Sequence, residues 1–223
     1  MIDNTGSLNL LSQERIDRRF ETRMQNTSNK SITAYVTAVC NVPESSTDFA
    51  IGDHSIEPGG IVEITTPVAT LSNMCGSAIT HPTITILAVV FDDRTSRGEF
   101  RFAKGVLDNR RGNRIQLKRI NDLLTKALKW PDADKPTAIE RLGDQIAALP
   151  VDEEEDPAVR GGLSDAKERA LYLLSELKQW YQSSLTSKSR QNVTVRGELA
   201  GTDSLPMGIE KLVALNEKWI SRY

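Results

Sequence analysis

The sequence predicts an α+β protein, with strands in its first part and helices in the rest. Three observations carry this. In IDRRFETRMQN and again in SITAYVTAVCNV apolar and polar side chains alternate with period two. The run TITILAVVFDD is apolar on both faces, as in a strand at the middle of a sheet. After Gly98 the apolar spacing changes to three and four, the period of an amphipathic helix. The expected division is an antiparallel β-sandwich-like domain over 1–97 and a helical region over 98–223, with a long helix over 98–129 and three more behind it.

Each strand has its own warrant. In IDRRFETRMQN, Ile16, Phe20, Thr22 and Met24 alternate with Asp17, Arg19, Glu21 and Arg23, which predicts one half-buried strand. Asn26 to Lys30 is a polar turn. SITAYVTAVCNV is rich in β-branched residues and puts Ile32, Ala34, Val36, Ala38 and Cys40 on one face, with Thr33, Tyr35, Thr37 and Val39 on the other. The two runs predict a hairpin with a loop of about five residues. Pro58-Gly59-Gly60 turns into the short strand IVEITT, stopped by Pro67, and residues 70–82 read as loop. An Ig-like sandwich takes about seven strands. Five or six are legible, so the sandwich is small or incomplete, or borrows its second layer from the helices.

The helices follow from their stripes. Ala103, Val106, Leu117, Ile120, Leu124 and Ala127 mark the long one. Its middle, NRRGNR, is polar and holds Gly112, so the helix either breaks there or exposes that turn on all sides. Trp130-Pro131 ends it. A second helix spans Thr137 to Leu149, and VDEEEDPAVRGG reads as an acidic linker. Ser164 is expected to cap a third helix through Tyr181. Residues 183–205 are polar, with QNVTVRG a short strand at most. Pro206 opens a last helix to Ile220, with Ile209, Leu212, Val213 and Trp219 inward.

Composition bounds the function classes. At 223 residues, 39% hydrophobic and 26% charged, the chain can bury a core, and with 5% aromatics that core must be aliphatic. A net charge of −2 gives no bulk attraction to nucleic acid or anionic membrane. No apolar run approaches the ~20 residues of a bilayer span. The start MIDNTGSLNLLSQER lacks a basic and then apolar leader, so the reading is cytoplasmic, or exported if a leader has been removed. Cys40 and Cys75 lie in no CxxC or Cys/His cluster, which argues against zinc. They are two small buried thiols, the reading the pattern favours, or one disulfide in an exported protein.

Candidate sites are few. Residues 94–119 hold nine cations (Arg94, Arg97, Arg101, Lys104, Arg110, Arg111, Arg114, Lys118, Arg119) against Glu99 and Asp108, a local +7 on a chain whose remainder is −9. Such a segment can meet phosphates or an acidic partner. It can equally pair with the molecule's own acids, of which residues 1–93 hold eleven against five cations, and no aromatic lies among Arg110 to Arg119 for base stacking. Asp92 and Asp93 could hold a metal or act as acid and base. Consecutive strand residues point apart, so a strand-ending turn is the better reading. His54 and His81 both fall in loops without a HExxH or HxH pattern, and there is no GxSxG, Walker or GxGxxG motif. Sequons at Asn26, Asn29 and Asn192 bear only on a glycosylating pathway.

NTSNKSITAYVTAV, then IEPGG, then ITILAVVFDDRTSRG resemble a recurrent pattern in bacterial, notably acidobacterial, proteins: a strand reading N-x-S-x-K-x-I-T-A-Y, a Pro-Gly turn, and a later strand ending in a glycine-containing turn before a long helix. The resemblance spans roughly residues 16–125. It implies a small β-sandwich-like module feeding a helix, and brings no activity, cofactor or catalytic residue. Members are often exported, which implies a Cys40–Cys75 disulfide. This chain departs in having Asp93-Arg94-Thr95 where the turn glycine is expected.

The function expected is therefore a non-catalytic binding or protein-interaction module with no cofactor, no metal and a protein partner, nucleic acid not being expected. Its candidate contact residues are Arg94, Arg97, Arg101, Lys104, Arg110, Arg111 and Arg114. One rival is a hydrolase-like enzyme that brings Asp92 and Asp93 together with His54 or His81. The other binds nucleic acid or an acidic partner through a contiguous basic face over 94–119.

Overall fold

A computed structural model describes residues 2–40, 42–48, 55–68, 75, 83–133, 135–186 and 204–222. The chain is α+β and divides into two compact units, Met1–Leu107 and Asp108–Tyr223. Eight strands are described: β1 (Ile2–Asp3), β2 (Leu8–Ile16), β3 (Arg19–Asn26), β4 (Ile32–Val39), β5 (Val42–Asp48), β6 (Ile61–Pro67), β7 (Ile84–Phe91) and β8 (Ser96–Gly98). Helices follow at α1 (Phe100–Ala127), α2 (Pro136–Ala147), α3 (Pro157–Thr186) and α4 (Leu205–Arg222). The division falls inside α1, not at the expected 97/98 boundary, because the first turns of that helix pack on the strands.

The first unit contains two sheets. One runs β1-β7-β4-β5, with β8 also on β7; the other runs β2-β3-β6. Every residue of β7 is buried, as its two-sided apolarity predicts. One face, Ile84, Ile86, Val89 and Phe91, joins Ile32, Tyr35 and Val39 of β4 against Leu8, Phe20 and Met24 of the three-stranded sheet. The other face, Leu87, Ala88 and Val90, joins Ala34, Val36 and Ala38 under Ala103 and Val106 of α1. Burying a side chain of Val, Leu, Ile, Phe or Met size contributes about 1.5–3 kcal/mol. The helix is thus a third layer on the outer face of the five-stranded sheet, which lets β7 be apolar throughout.

Three strand expectations are corrected. IDRRFETRMQN is not one strand: β2 and β3 form a hairpin turning at Asp17-Arg18, with Ile16 paired to Arg19 and Asp17 at φ 53°. That turn lacks the Asn-Gly or Asp-Gly pair that marks a two-residue hairpin. β3 and β4 do not form a hairpin either, since they lie in different sheets. Asn26 makes the crossover: its Nδ2 donates to the carbonyls of Lys30 (2.8 Å) and Ile56 (2.6 Å), and its Oδ1 accepts from Ser28 N–H (2.9 Å) and Oγ (2.6 Å). Finally, Ile32 and Cys40 leave the face expected to hold Ala34, Val36 and Ala38. The pairing with β7 slips one residue between Ile32 and Ala34, and Cys40 turns to φ 51° just past the end of β4.

Cys40 and Cys75 are joined in a disulfide, Cα atoms 5.5 Å apart and 35 residues apart in sequence, in place of the two thiols that the pattern favoured. Both pack against the core between the sheets. Sequence distance hides this proximity.

In the second unit α1 continues unbroken through Gly112, so NRRGNR is neither a break nor an all-round exposed turn. Gly112 and Asn113 are buried against α3. A Cβ at Gly112 would lie 2.0 Å from the Val159 carbonyl oxygen, and one at Gly162 would lie 1.9 Å from that of Asn109. The two backbones touch because neither residue has a side chain. This explains why the expected linker over Val151–Gly162 yields to helix at Pro157. Asp156, not Ser164, caps it, its Oδ1 accepting the Ala158 N–H at 2.9 Å. Asn216 of α4 donates to Asn121 of α1 at 2.9 Å, satisfying a buried amide. Residues 187–203, including QNVTVRG, lie outside the described residues.

Gly162→Ala is expected to lower stability by about 2–3 kcal/mol, backbone overpacking outweighing the gain in helix propensity. Gly143→Ala, where nothing lies within 4 Å, is expected to raise it by about 0.5–1 kcal/mol. Urea denaturation reads both. For the disulfide, unfolded protein should show no reactive thiol before reduction and two after it. The Cys40→Ser/Cys75→Ser double variant should lose about 4 kcal/mol, the chain-entropy value for a loop of this length.

Candidate functional site

FDDRTSRGEFRF, the stretch crowded with charge, is a hairpin and a helix start. Phe91 N–H bonds the Thr95 carbonyl at 2.9 Å and Arg94 N–H bonds the Phe91 carbonyl at 3.0 Å, which turns the chain back into β8. The helix begins at Phe100, not 98. Arg94 sits at φ 65°, the left-handed conformation for which a glycine is expected.

Asp93 organises this turn. Its Oδ1 accepts from Thr95 N–H (3.0 Å) and Oγ1 (2.5 Å), and its Oδ2 accepts from Lys30 Nζ at 2.5 Å. The Lys30 hydrogen bond, followed by those of Thr95, lowers the Asp93 pKa from the usual carboxylate range to about 2. Asp92 accepts only the neighbouring Asp93 N–H, at 3.0 Å, among the described residues. The adjacent carboxylates therefore shape a turn, as their spacing suggests. His54 and His81 lie outside the described residues.

Beyond the turn, Gly98 at φ 94° lets the chain pass so close to β7 that a Cβ would lie 2.2 Å from the Leu87 carbonyl oxygen. That oxygen accepts the Glu99 N–H at 2.8 Å, and the Glu99 carbonyl accepts the Phe102 and Ala103 N–H groups to start α1. Glu99 and Arg101 are thereby placed beside each other. Arg101 Nη2 and Nε reach the same Glu99 oxygen at 3.1 and 3.2 Å, and the guanidinium lies 4.5 Å from the Phe102 ring centroid. Residues 92–98, Phe100, Arg101 and Lys104 are exposed. Phe100 is 74% exposed, the most of any large apolar residue described. The Arg97 guanidinium lies 5.8 Å from the Phe91 ring centroid.

The seven candidate cations divide between the two units. Arg94, Arg97, Arg101 and Lys104 belong to the first unit; Arg110, Arg111 and Arg114 belong to the second. Arg110 is 3% exposed and engaged within the fold, so it is corrected from a contact residue to a core one. Arg111 is exposed and Arg114 half-buried. Arg119 pairs with Glu153 at 3.1 Å. Among the described residues, Arg101 pairs with Glu99 and Arg119 with Glu153, two acids that lie outside the strands. Phe100 was not among the expected contact residues. Its signal lies in the spacing of Phe100 and Phe102, which are two apart on a helix and cannot share a face. With Phe102 packed on the sheet, Phe100 is left in water.

Comparison with known proteins finds no matching family model, no matching curated relative and no matching solved structure. No described helix is long and apolar enough to cross a membrane.

Arg94→Gly is expected to stabilise the protein by about 1 kcal/mol, the cost of a left-handed residue with a Cβ, read as a shift in denaturation midpoint at constant m-value. Asp93 is depressed in the folded state, so its contribution is fully present above the unfolded pKa near 3.9 and is lost as pH falls toward the folded value of about 2. Asp93→Asn keeps an acceptor for Thr95 and removes the charge. Its stability should fall less steeply than that of the native protein between those two pH values, and an equal slope would show that the Lys30 contact contributes nothing.

Proposed function

We propose that this chain is a non-catalytic protein-interaction module, and that its first unit reads an acidic partner through the β7–β8 hairpin and the first turn of α1. The observation that carries this reading is Phe100: a large aromatic left 74% exposed, one helical turn from Lys104 and next in the chain to Arg97-Gly98-Glu99 and Arg101. Aromatic residues and arginine are the residue types that dominate interface energetics, an apolar anchor within a polar rim. A sandwich-like body that presents such a hairpin is also how Ig-like domains bind partners from strand-end loops. Burial of Arg110 and pairing of Arg119 remove two cations from the surface that nucleic-acid binding would use, which supports a protein partner instead. Because structural disulfides persist in oxidising compartments, the Cys40–Cys75 bond supports a place of action outside the reducing cytosol, in keeping with an exported bacterial protein.

A photo-crosslinking side chain at position 100 tests this, with one at Tyr172, another exposed aromatic, as control. The expected result is a salt-sensitive crosslink to an acidic protein from position 100 alone, reduced by Arg97→Glu. With the captured partner in hand, Phe100→Ala should weaken binding by about 2 kcal/mol. Equal crosslinking from both positions, or indifference to Arg97→Glu, would overturn the reading.

A further inference from the structure

β4 covers one edge of β7 from Ile84 to Phe91. The other edge is covered by two short strands set end to end: β1 pairs with Thr85 and Ile86, and β8 with Ala88, Val89 and Val90. β8 has no strand on its far side among the described residues, and Ser96, Arg97 and Gly98 are all exposed. The backbone groups it presents there are fixed by the bonds at its two ends. The Thr95 carbonyl accepts the Phe91 N–H at 2.9 Å, and the Glu99 N–H donates to the Leu87 carbonyl at 2.8 Å. A trans peptide unit is planar, with its N–H and C=O pointing opposite ways, and the described chain has no cis unit. The Ser96 N–H shares a unit with the Thr95 carbonyl and so points away from β7. The Gly98 carbonyl shares one with the Glu99 N–H and does the same. Between them the antiparallel ladder alternates, so Arg97 bonds Val89 while the Ser96 carbonyl and Gly98 N–H also point outward.

Two donors and two acceptors thus lie along an open edge, in the two-residue repeat that an extended chain can bond. Charge selects the occupant. Residues 94–104 carry Arg94, Arg97, Arg101 and Lys104 against Glu99, a local +3. Arg97 stands at the middle of β8, on the face of the sheet that holds Phe91, whose ring centroid is 5.8 Å from its guanidinium. A second copy of β8 fits this edge badly. Two-fold pairing of Ser96 with Gly98 would set Arg97 directly opposite Arg97, and like charges so placed are destabilising. A carboxylate at that position is favoured instead.

We infer that β8 takes an extended acidic peptide as an added strand, with a carboxylate across from Arg97 and main-chain bonds to Ser96 and Gly98. Strand addition presupposes the acidic partner of the reading above and adds the form in which it is bound. The test is amide NMR titration of the whole chain with acetyl-Glu-Val-Glu-Val-Glu-Val-Glu-amide. Its alternation lets a glutamate stand opposite Arg97 in either strand direction. Binding should saturate with a Kd of about 1 mM or tighter. At saturation the Ser96 and Gly98 amides should exchange at least about tenfold more slowly, and the Arg97 amide, already bonded to β7, at an unchanged rate. Two further peptides carry N-methyl groups on all the valine or all the glutamate nitrogens. Only alternate amides of an added strand face β8, so one of the two should bind at least about tenfold more weakly and the other like the parent. Loss with the valine set marks an antiparallel strand and loss with the glutamate set a parallel one. Arg97→Glu should weaken the parent at least about tenfold. No saturable shift at about 5 mM peptide, or loss of binding with both methylated peptides, would overturn strand addition. Parent-like binding of both methylated peptides, still abolished by Arg97→Glu, would also overturn it but leave the acidic-partner reading standing. That reading falls separately, on the crosslink from position 100.

Discussion

A strand that is apolar on both faces needs a layer on each side of it, and the first unit is arranged around meeting that need for β7. Ile84, Ile86, Val89 and Phe91 point toward the three-stranded sheet; Leu87, Ala88 and Val90 point toward the helix. Antiparallel sheets commonly leave one face in water. This one cannot, because exposing either set would forfeit several side-chain burials of about 1.5–3 kcal/mol each. The requirement explains why β3 and β4 occupy different sheets despite a loop short enough for a hairpin. It also explains why the first turns of α1 belong with the strands.

The exposed Phe100 and the charged residues around it are consequences of the same strand. The pairing of β4 with β7 skips Leu87, which lies between the partners of Val36 and Thr37. The Leu87 carbonyl accepts Glu99 N–H. That bond sets where α1 begins, and the start of α1 decides which of Phe100 and Phe102 is buried. It also places Arg101 against Glu99. The exposed aromatic thus follows from one hydrogen bond between a bulged strand and a glycine-enabled crossing at Gly98.

The second unit answers to a different constraint. Its helices are brought together by the absence of side chains at Gly112 and Gly162, where each Cα sits against a carbonyl of the facing helix. Intrinsic propensity argues against glycine in a helix by about 1 kcal/mol per residue. Here that cost is set against close packing and a buried polar seam, with Asn113 bonding back to Asn109 and Gln116 reaching the Pro150 carbonyl. Gly161-Gly162, which punctuates a sequence when read locally, is the fitted surface of a helix when read in three dimensions.

Local chemistry was enough to define much of this protein. Period-two and period-3.6 patterning identified the α+β class, the two-sided strand, the long helix and the three that follow, because these depend only on which side chains must leave water. The role of Asp92-Asp93 as a turn was legible for the same reason: Asp bonds amides one or two residues on. What depended on distant residues was not legible. The Asp17-Arg18 hairpin carries no glycine, the face of Ile32 is reversed by a slip in register with β7, and the Cys40–Cys75 bond joins positions 35 apart. Sequence by itself determined what must be buried. Only the tertiary structure decided what it is buried against, because bulges, crossovers and helix crossings are settled by backbone hydrogen bonds and steric fit between segments that no local period encodes.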